Sequence, residues 1–434
     1  MVFPDRTAAA RMQTISHTVA LLVVAIVVAI LARRVRLPYT VGLVVTGAGL
    51  ALVRADVGIG LTHEFIYAVA LPPLLFEAAL FIPWPELRRD AVPILTLAVL
   101  GTVVSAVAVT AGMVWGLHWP VPAAVTFGVL IAATDPVAVI ALFKDTGIEG
   151  RLRLLVESES LLNDGVAAVL FALVLVWLGG DAVTPAGIAL ALAKTAGGGV
   201  LIGLLCGGVA ILVAGRTTDR MVETAVTVAA AYGSFMAAEQ LHMSGVLATV
   251  AAGLLMGIVG ALKPVMAGAG PPPTAFSKSL SQVVGGGPAP TMTVLNDPHL
   301  ERTFVLEFWT FAAFIANSLV FVLIGVTIAR IPFAAFGGVA LAATILIVLI
   351  GRALTVYPFC AAFRWSRWAI PFAEQHILWW GGLRGALGLA LALTVPEATP
   401  LHDQIVIATF GVVAFSVIAQ GVTMQPLLRR LGLR

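Results

Sequence analysis

The sequence predicts an all-α polytopic membrane protein with about 13 transmembrane helices. Of its 434 residues, 60% are hydrophobic and only 11% are charged, and so apolar a chain cannot cover a water-soluble domain with polar surface. Apolar runs recur along the whole chain, each long enough to cross a hydrocarbon core of roughly 30 Å. Two of these runs, the fifth and the twelfth, are interrupted beside an ionisable residue.

The predicted spans are numbered 1 to 13 in chain order, and the whole chain, 1–434, is predicted to be a single transmembrane domain. The spans cover residues 17–32, 38–54, 63–82, 91–115, 120–143, 155–178, 185–214, 220–240, 244–262, 304–329, 333–360, 370–394 and 403–427. One long connection, 262–302, contains "GAGPPPTAF" and "GGGPAP", a composition typical of a flexible loop.

Lysine and arginine are concentrated in the loops that follow odd-numbered spans. These loops include "ARRVRL", "ELRRD", "KDTGIEGRLR", "GRTTDR" and "FRWSRW", and "LLRRLGLR" closes the chain. Because basic loops stay in the cytoplasm, we predict an outside N-terminus, a cytoplasmic C-terminus and a cytoplasmic 262–302 loop, in a cell membrane. Since the basic residues flank spans, the net charge of +3 indicates no nucleic-acid partner.

Span 5 carries the first predicted interruption, within "IAATDPVAVI". Pro136 removes a backbone donor and disfavours helical geometry at Asp135 before it. Thr134 or Asp135 is then expected to cap a second half-helix that begins with proline. In lipid, such a break requires that the freed backbone groups face protein or a wet cavity.

Span 12 carries the second predicted interruption, where "WWGGLRGALGLALAL" places four glycines around Arg384. The two interrupted spans are seven apart, an odd number, so they run in opposite directions and suggest an inverted repeat of spans 1–6 and 8–13. Either interruption alone is explained about as well by packing or a mild kink. Together they favour a transport site near the bilayer midplane.

Span 6 begins with "SESLLNDGVAAVLF", which brings polar residues into an apolar helix. Residues four apart share a helix face, so Ser160 and Asp164 are expected to point the same way. Their oxygens, with backbone carbonyls freed near Thr134, suit a small monovalent cation of unspecified type. A carboxylate in the bilayer must be protonated, paired with a cation or hydrated. The first two states correspond to proton/cation exchange, and a structural carboxylate is the alternative.

Three further charges lie deep in predicted spans. An arginine in the membrane keeps its proton and needs an anion, so Glu159 is predicted to form a structural ion pair with Arg384. Arg352 in span 11 is also deep enough to need a partner, although it is not predicted to be a ligand. Glu77, in "LPPLLFEAALFIP", is expected to reach the site through water or to make a core hydrogen bond.

At these residues the chain resembles the sodium/proton antiporter (exchanger) family, in its electroneutral Asn-Asp branch of bacterial or archaeal type without a long cytoplasmic tail. The similar segments occur in the family's order between about residues 71 and 387: "LPPLLFEAAL", "ATDPVAV", "ESLLNDG", "LHMSGVLATVAAG", "SLVFVLIGV" and "GGLRGAL". The resemblance implies alternating access that exchanges a monovalent cation, Na⁺ first and Li⁺ second, for H⁺ in pH homeostasis. Na⁺, Li⁺ or K⁺ and H⁺ would be cargo, and no cofactor is implied.

The resemblance also implies a homodimer embedded in membrane lipid. Residues 91–178 and 333–427, spans 4–6 and 11–13, would form a mobile core. Residues 17–82 and 220–329 would form a dimerisation scaffold.

For the site, the resemblance implies that Asp164 binds the cation or the proton in turn. Ser160 and Thr134 would help to coordinate the cation, and Glu77 would contact it through water. The remaining residues would hold the charge balance and geometry of the site, and they are Asp135, Asn163, Glu159 and Arg384.

Rival classes are a K⁺/H⁺ antiporter of the same fold, a passive cation channel and an intramembrane protease. Asp135 and Asp164 superficially resemble an aspartyl pair, but the sequence contains no G-x-G-D or H-E-x-x-H motif, so no enzyme is predicted. A channel would conduct without proton coupling. Cys206 and Cys360 lie inside predicted spans, and neither is expected to bind a metal.

Overall fold

The computed structural model describes residues 6–35, 38–54, 60–180, 185–217, 219–266 and 298–433. Throughout these ranges the regular structure is helical, which confirms the predicted fold class. In order, the spans are Arg6–Val35, Tyr39–Leu52, Phe65–Phe81, Ala91–Leu117, Val121–Leu130 with Val137–Thr146, Arg151–Leu178, Pro185–Ala214, Arg220–Gln240, Gly245–Met266, Pro298–Arg330, Gly338–Ala362, Phe372–Trp380 with Ala386–Ala392, and His402–Arg430.

The count of 13 spans agrees with the prediction. Among the described helices, 7 are long and apolar enough to cross a membrane alone. Spans 1, 2, 3 and 9 contain shorter apolar helices, and spans 5 and 12 each consist of two pieces. Span 11 differs at its start, because Gly337, with φ +88°, separates a short helix, Phe333–Phe336, from the span proper.

The predicted 262–302 loop falls largely outside the described residues. Its two ends are helical, however, since span 9 continues to Met266 and span 10 begins at Pro298. The connection predicted from composition is therefore too long at both ends.

Both predicted interruptions are present. In span 5 the helix stops at Leu130 and resumes at Val137, directly after Pro136. In span 12 it stops at Trp380 and resumes at Ala386, across the glycine-rich segment. A long helix, a broken helix and another long helix follow one another in spans 4–6 and again in spans 11–13, as an inverted repeat requires.

Close helix packing defines two sides of the bundle. On one side, span 4 packs against spans 5 and 11. On the other side, span 2 packs against span 10, and span 9 packs against spans 3 and 7. Gly203 of span 7 permits the close contact between spans 7 and 9, because a Cβ there would lie 2.1 Å from the carbonyl oxygen of Ala248 in span 9. Span 6 contacts helices of both sides.

Arg151, the first residue of span 6, fixes two loops at the basic face. Its Nε donates to Asp90 Oδ1 at 2.9 Å, beside the start of span 4. Its Nη1 and Nη2 donate to the carbonyl oxygens of Ala369 and Trp368, at 2.7 and 3.1 Å, before span 12. The loops before spans 4 and 12 are thus held against span 6.

Candidate functional site

The two interruptions meet each other inside the bundle. The backbone N–H of Asp135, in the break of span 5, donates to the carbonyl oxygen of Leu383, in the break of span 12, at 2.7 Å. A Cβ on Gly385 would lie 2.1 Å from Asp135 Oδ2. Only glycine at position 385 therefore allows the two interrupted segments to cross this closely.

Each break carries a charge that satisfies helix ends of the other. Arg384 Nη1 donates to the carbonyl oxygens of Ala132 and Ala133 at 2.8 and 3.0 Å, where the first half-helix of span 5 ends. The Asp135 carboxylate accepts from Val137 N–H at 2.9 Å, at the start of the second half-helix of span 5, and it acts electrostatically on the N–H of Ala386, where the second half-helix of span 12 begins. Helix C-termini favour cations and N-termini favour anions, so the crossing is electrostatically complementary.

The predicted Glu159–Arg384 ion pair is wrong. Glu159 instead pairs with Arg352 of span 11, whose Nη1 and Nη2 donate to Oε1 and Oε2 at 2.8 and 2.9 Å. Both side chains are buried, and Arg352 Nη2 also donates to the carbonyl oxygen of Leu378 at 3.1 Å. The physical reason is that Arg384 donates to the backbone carbonyl oxygens freed by the break of span 5. Glu159 is therefore paired by Arg352, which reaches it from the continuous helix of span 11.

Thr134, Ser160 and Asn163 form one buried hydrogen-bond network between spans 5 and 6. Thr134 N–H donates to Asn163 Oδ1 at 3.2 Å, and Asn163 Nδ2 donates to Thr134 Oγ1 and to Glu159 Oε1. Thr134 Oγ1 donates to Ser160 Oγ at 3.1 Å, and Ser160 Oγ donates to the Thr134 carbonyl oxygen. The network therefore satisfies the unwound backbone at Thr134 and fixes it to span 6.

Asp164 lies one residue beyond this network and lines a cavity of 340 Å³. Its Oδ1 is buried and accepts no hydrogen bond from the described residues. Thr134, Asp135 and, from span 3, Glu77 line the same cavity. The structure thus gathers four of the predicted site residues around one space, with Ser160 and Asn163 bonded to Thr134 behind it.

The cavity also has lining residues that the sequence did not single out. Tyr39 and Asn317 line it from spans 2 and 10, and Arg153 and Glu157 line it near the start of span 6. Asn317 could have been found from the sequence, because it is a polar residue inside an apolar span. Phe81, at the end of span 3, also lines the cavity, so the cavity extends toward the face that carries the basic loops.

At the opposite face, span 3 touches span 12. His63 Nδ1 lies 3.2 Å from the carbonyl oxygen of Ala390, in the last turn of the second half-helix. The nearby N–H of Thr394 donates to Leu391 instead of to Ala390. His63 therefore supplies a partner for a helix-end carbonyl and joins the two spans on that side.

Both acidic and basic groups act electrostatically on Asp164. Asp135, Glu159 and Arg384 all act electrostatically on Asp164, and Arg352 pairs with Glu159. These three carboxylates and two guanidinium groups leave one negative charge when all are ionised, and Glu77, which lines the same cavity, is a further carboxylate outside this count. Among the described residues no group of three or more His, Cys, Asp or Glu side chains could hold a metal ion.

Comparison with known proteins agrees with this arrangement. The sequence model of the transmembrane sodium/hydrogen exchanger family matches residues 21–430. The Na⁺/H⁺ antiporter ApNhaP of Aphanothece halophytica is 36% identical over 404 residues, 92% of this chain and 70% of that protein. The Na⁺/H⁺ antiporter NhaH of Halobacillus dabanensis is 34% identical over 427 residues, 95% of this chain and 96% of that protein.

A solved structure shares the fold. The sodium proton antiporter MjNhaP1 from Methanocaldococcus jannaschii superposes with a TM-score of 0.70 at 19% identity, covering 97% of this chain and 99% of that one. The crossed interruptions and the sequence match over nearly the whole length lead to one conclusion: the chain belongs to the sodium/hydrogen exchanger family.

Proposed function

We propose that this membrane protein exchanges one Na⁺ for one H⁺ by alternating access, with Asp164 carrying each in turn. The observation that carries the proposal is the Asp164 carboxylate, which lines the cavity beside the crossed half-helices and whose Oδ1 has no hydrogen-bond partner among the described residues. Protonation or cation binding would each neutralise the Asp164 carboxylate. A buried charge is costly in the membrane, so the loaded forms would cross more easily than the empty one.

The neighbouring residues are proposed to shape the cation's coordination. Thr134 and Ser160 would contribute hydroxyl or carbonyl oxygens, and Glu77 would contact the ion through water from across the cavity. Asn163 would hold the unwound backbone at Thr134 in place, as its two hydrogen bonds to that residue suggest. Asp135 would stay ionised to complement the half-helix N-termini.

Alternating access is proposed to move residues 91–178 and 333–427 as a core against residues 17–82 and 220–329 as a scaffold. The Glu159–Arg352 pair and the crossed breaks support a rigid core, because they join spans 5, 6, 11 and 12. The scaffold is proposed to form a homodimer. Native mass spectrometry of the detergent-solubilised protein would test this, and a monomeric mass would contradict it.

The orientation proposed from the basic loops places the N-terminus outside and the C-terminus in the cytoplasm of a cell membrane. The cavity extends toward the basic face, so this conformation would face inward. Labelling single cysteines, at exposed positions near His118 and Arg364, from each side of sealed vesicles would test the topology. Labelling of both positions from the same side would contradict it.

The proposed transport is tested with purified protein in liposomes under an imposed pH gradient. We expect Na⁺ to drive proton movement, and a panel with Li⁺ and K⁺ separates the alternatives. The relatives compared above are named as sodium/proton antiporters, so the K⁺/H⁺ alternative has no support from them. Cation flux that cannot be driven uphill by a proton gradient would indicate a channel instead.

Apparent Na⁺ affinity should weaken as the pH is lowered equally on both sides. Protons and Na⁺ compete for Asp164, so each tenfold rise in proton concentration should raise the Na⁺ concentration needed for half-maximal exchange. The measurement is the Na⁺ dependence of proton flux at several pH values around neutrality. An Na⁺ affinity independent of pH would contradict a shared site.

Exchange should be insensitive to membrane potential. Asn163 cannot titrate, and Glu159 is committed to Arg352, so one cation replaces one proton and no net charge moves. A potential of 100 mV, worth about 2.3 kcal/mol per charge moved, should therefore leave the reversal point unchanged. The measurement is cation-driven proton flux in liposomes clamped with an ionophore, with empty liposomes as control. A reversal point that shifts with voltage would mean that a second charge is carried, and Glu77→Gln would be the next variant.

A further inference from the structure

An exposed group of arginines and tryptophans lies where the loop between spans 3 and 4 meets the loop between spans 11 and 12. This group, the Arg/Trp patch, consists of Trp84, Arg88, Arg89, Arg364, Trp365, Arg367 and Trp368. Its members are exposed except for the partly buried Trp368, and Trp365 is 84% exposed. None of these seven residues is among those that line the transport cavity.

One direct hydrogen bond, together with Arg151 of span 6, joins the two loops. Trp368 Nε1 donates to the carbonyl oxygen of Arg89 at 3.0 Å. Arg151 donates hydrogen bonds to the carbonyl oxygens of Trp368 and Ala369, and it forms an ion pair with the carboxylate of Asp90. The backbones that carry the patch are therefore fixed relative to each other and need little ordering when a ligand binds.

Two of the guanidinium groups are positioned over aromatic rings. Arg364 Cζ lies 3.6 Å from the ring centroid of Trp365, and Arg367 Cζ lies 4.6 Å from that of Trp368. Cation–π contact restrains the plane of each guanidinium group. Its N–H edges remain available for bidentate bonds to phosphate oxygens.

The charge of the patch is strongly positive. Asp90 beside it is bonded to Arg151, and Glu374 at the start of span 12 also acts on Arg151. On the short helix Trp84–Arg89, Glu86 is the acidic residue that remains. Four arginines against one glutamate leave a surface that attracts an anion.

The position of the loops identifies the anion. Residues 82–90 and 363–371 each join two membrane spans, so both loops lie at the membrane boundary. Tryptophan prefers the headgroup region, and arginines there attract anionic lipid. We propose that the Arg/Trp patch binds the phosphate headgroup of an anionic phospholipid, with Arg364 and Arg367 as ligands and the tryptophans packed against the lipid.

The test measures binding of a fluorescent phosphatidylglycerol to the purified full-length protein, with phosphatidylcholine of the same chain length for comparison. R364Q/R367Q removes two guanidinium groups, so we expect phosphatidylglycerol to bind about 30-fold more weakly and phosphatidylcholine to bind equally. The replaced groups are exposed, so the melting temperature in phosphatidylcholine should match that of wild type. Wild-type phosphatidylglycerol affinity in this variant would overturn the proposal.

The matched control is R429Q/R430Q, which removes two exposed arginines at the end of span 13, on the same face; among the described residues neither lies over a tryptophan ring as Arg364 and Arg367 do. It should bind phosphatidylglycerol like wild type. Equal losses in the two variants would mean that general surface charge attracts the lipid, and the assigned site would be wrong. Glycerol phosphate added in excess should not displace the lipid; displacement would identify a site for soluble phosphate.

Discussion

Asp164→Asn should abolish Na⁺-driven proton movement while leaving a folded protein. The substitution nearly keeps the volume of the side chain but removes the carboxylate charge that is proposed to bind Na⁺ and H⁺ in turn. Exchange by the wild type should be measurable in liposomes under a pH gradient, and exchange by the variant should fall to the level of empty liposomes. Retention of appreciable coupled flux would remove Asp164 from the mechanism.

Asp164→Glu is the matched variant, because it keeps the carboxylate and changes its reach by one methylene. We expect residual exchange with a changed apparent Na⁺ affinity. If both variants melt at the wild-type temperature, the loss of exchange in Asp164→Asn is caused by the missing carboxylate and not by unfolding. An inactive Asp164→Glu together with a normal fold would mean that the position of the oxygens matters as much as their charge.

Glu159→Ala and Arg352→Ala should each destabilise the protein strongly. Removing one partner leaves the other as an uncompensated buried charge, and such losses are about 3–5 kcal/mol. The measurement is thermal unfolding in detergent. Replacing both partners by leucine and methionine should recover much of the stability, because a well-packed apolar pair avoids the desolvation penalty.

A double-mutant cycle separates the observed ion pair from the one predicted from sequence. Coupling between Glu159 and Arg352 should reach the upper part of the range for direct contacts, about 0.5–3 kcal/mol. Coupling between Glu159 and Arg384 should be clearly smaller, since Arg384 donates to the carbonyls of Ala132 and Ala133. The reverse order of the two coupling energies would restore the predicted pair.

The failure of that prediction has a definite cause. Sequence reveals that a buried arginine needs an acceptor, and Glu159 is a buried anion in a neighbouring span that could serve Arg384. The true acceptors of Arg384 are backbone carbonyls, which no residue type marks. Arg352 was recognised as needing a partner, but helix periodicity does not show which way span 11 faces across the bundle.

Other features were predictable because they depend on local chemistry. Pro136 forces a break in span 5, and the glycines around Arg384 permit one in span 12. Hydropathy and length predict the 13 spans. The cavity residues Tyr39, Asn317 and Glu157 were missed, since they come together from separate spans and no local pattern joins them.

The crossing of the two breaks has a consequence for biosynthesis. Ser160 and Asn163 follow Thr134 by 26 and 29 residues, so they can stabilise its unwound backbone as soon as span 6 is inserted. Arg384 is 252 residues beyond Ala132, so the end of the first half-helix lacks its cation until nearly all of the chain has left the ribosome. The transport site is therefore completed in two stages during synthesis, and a nascent chain ending before span 12 holds only the first of them.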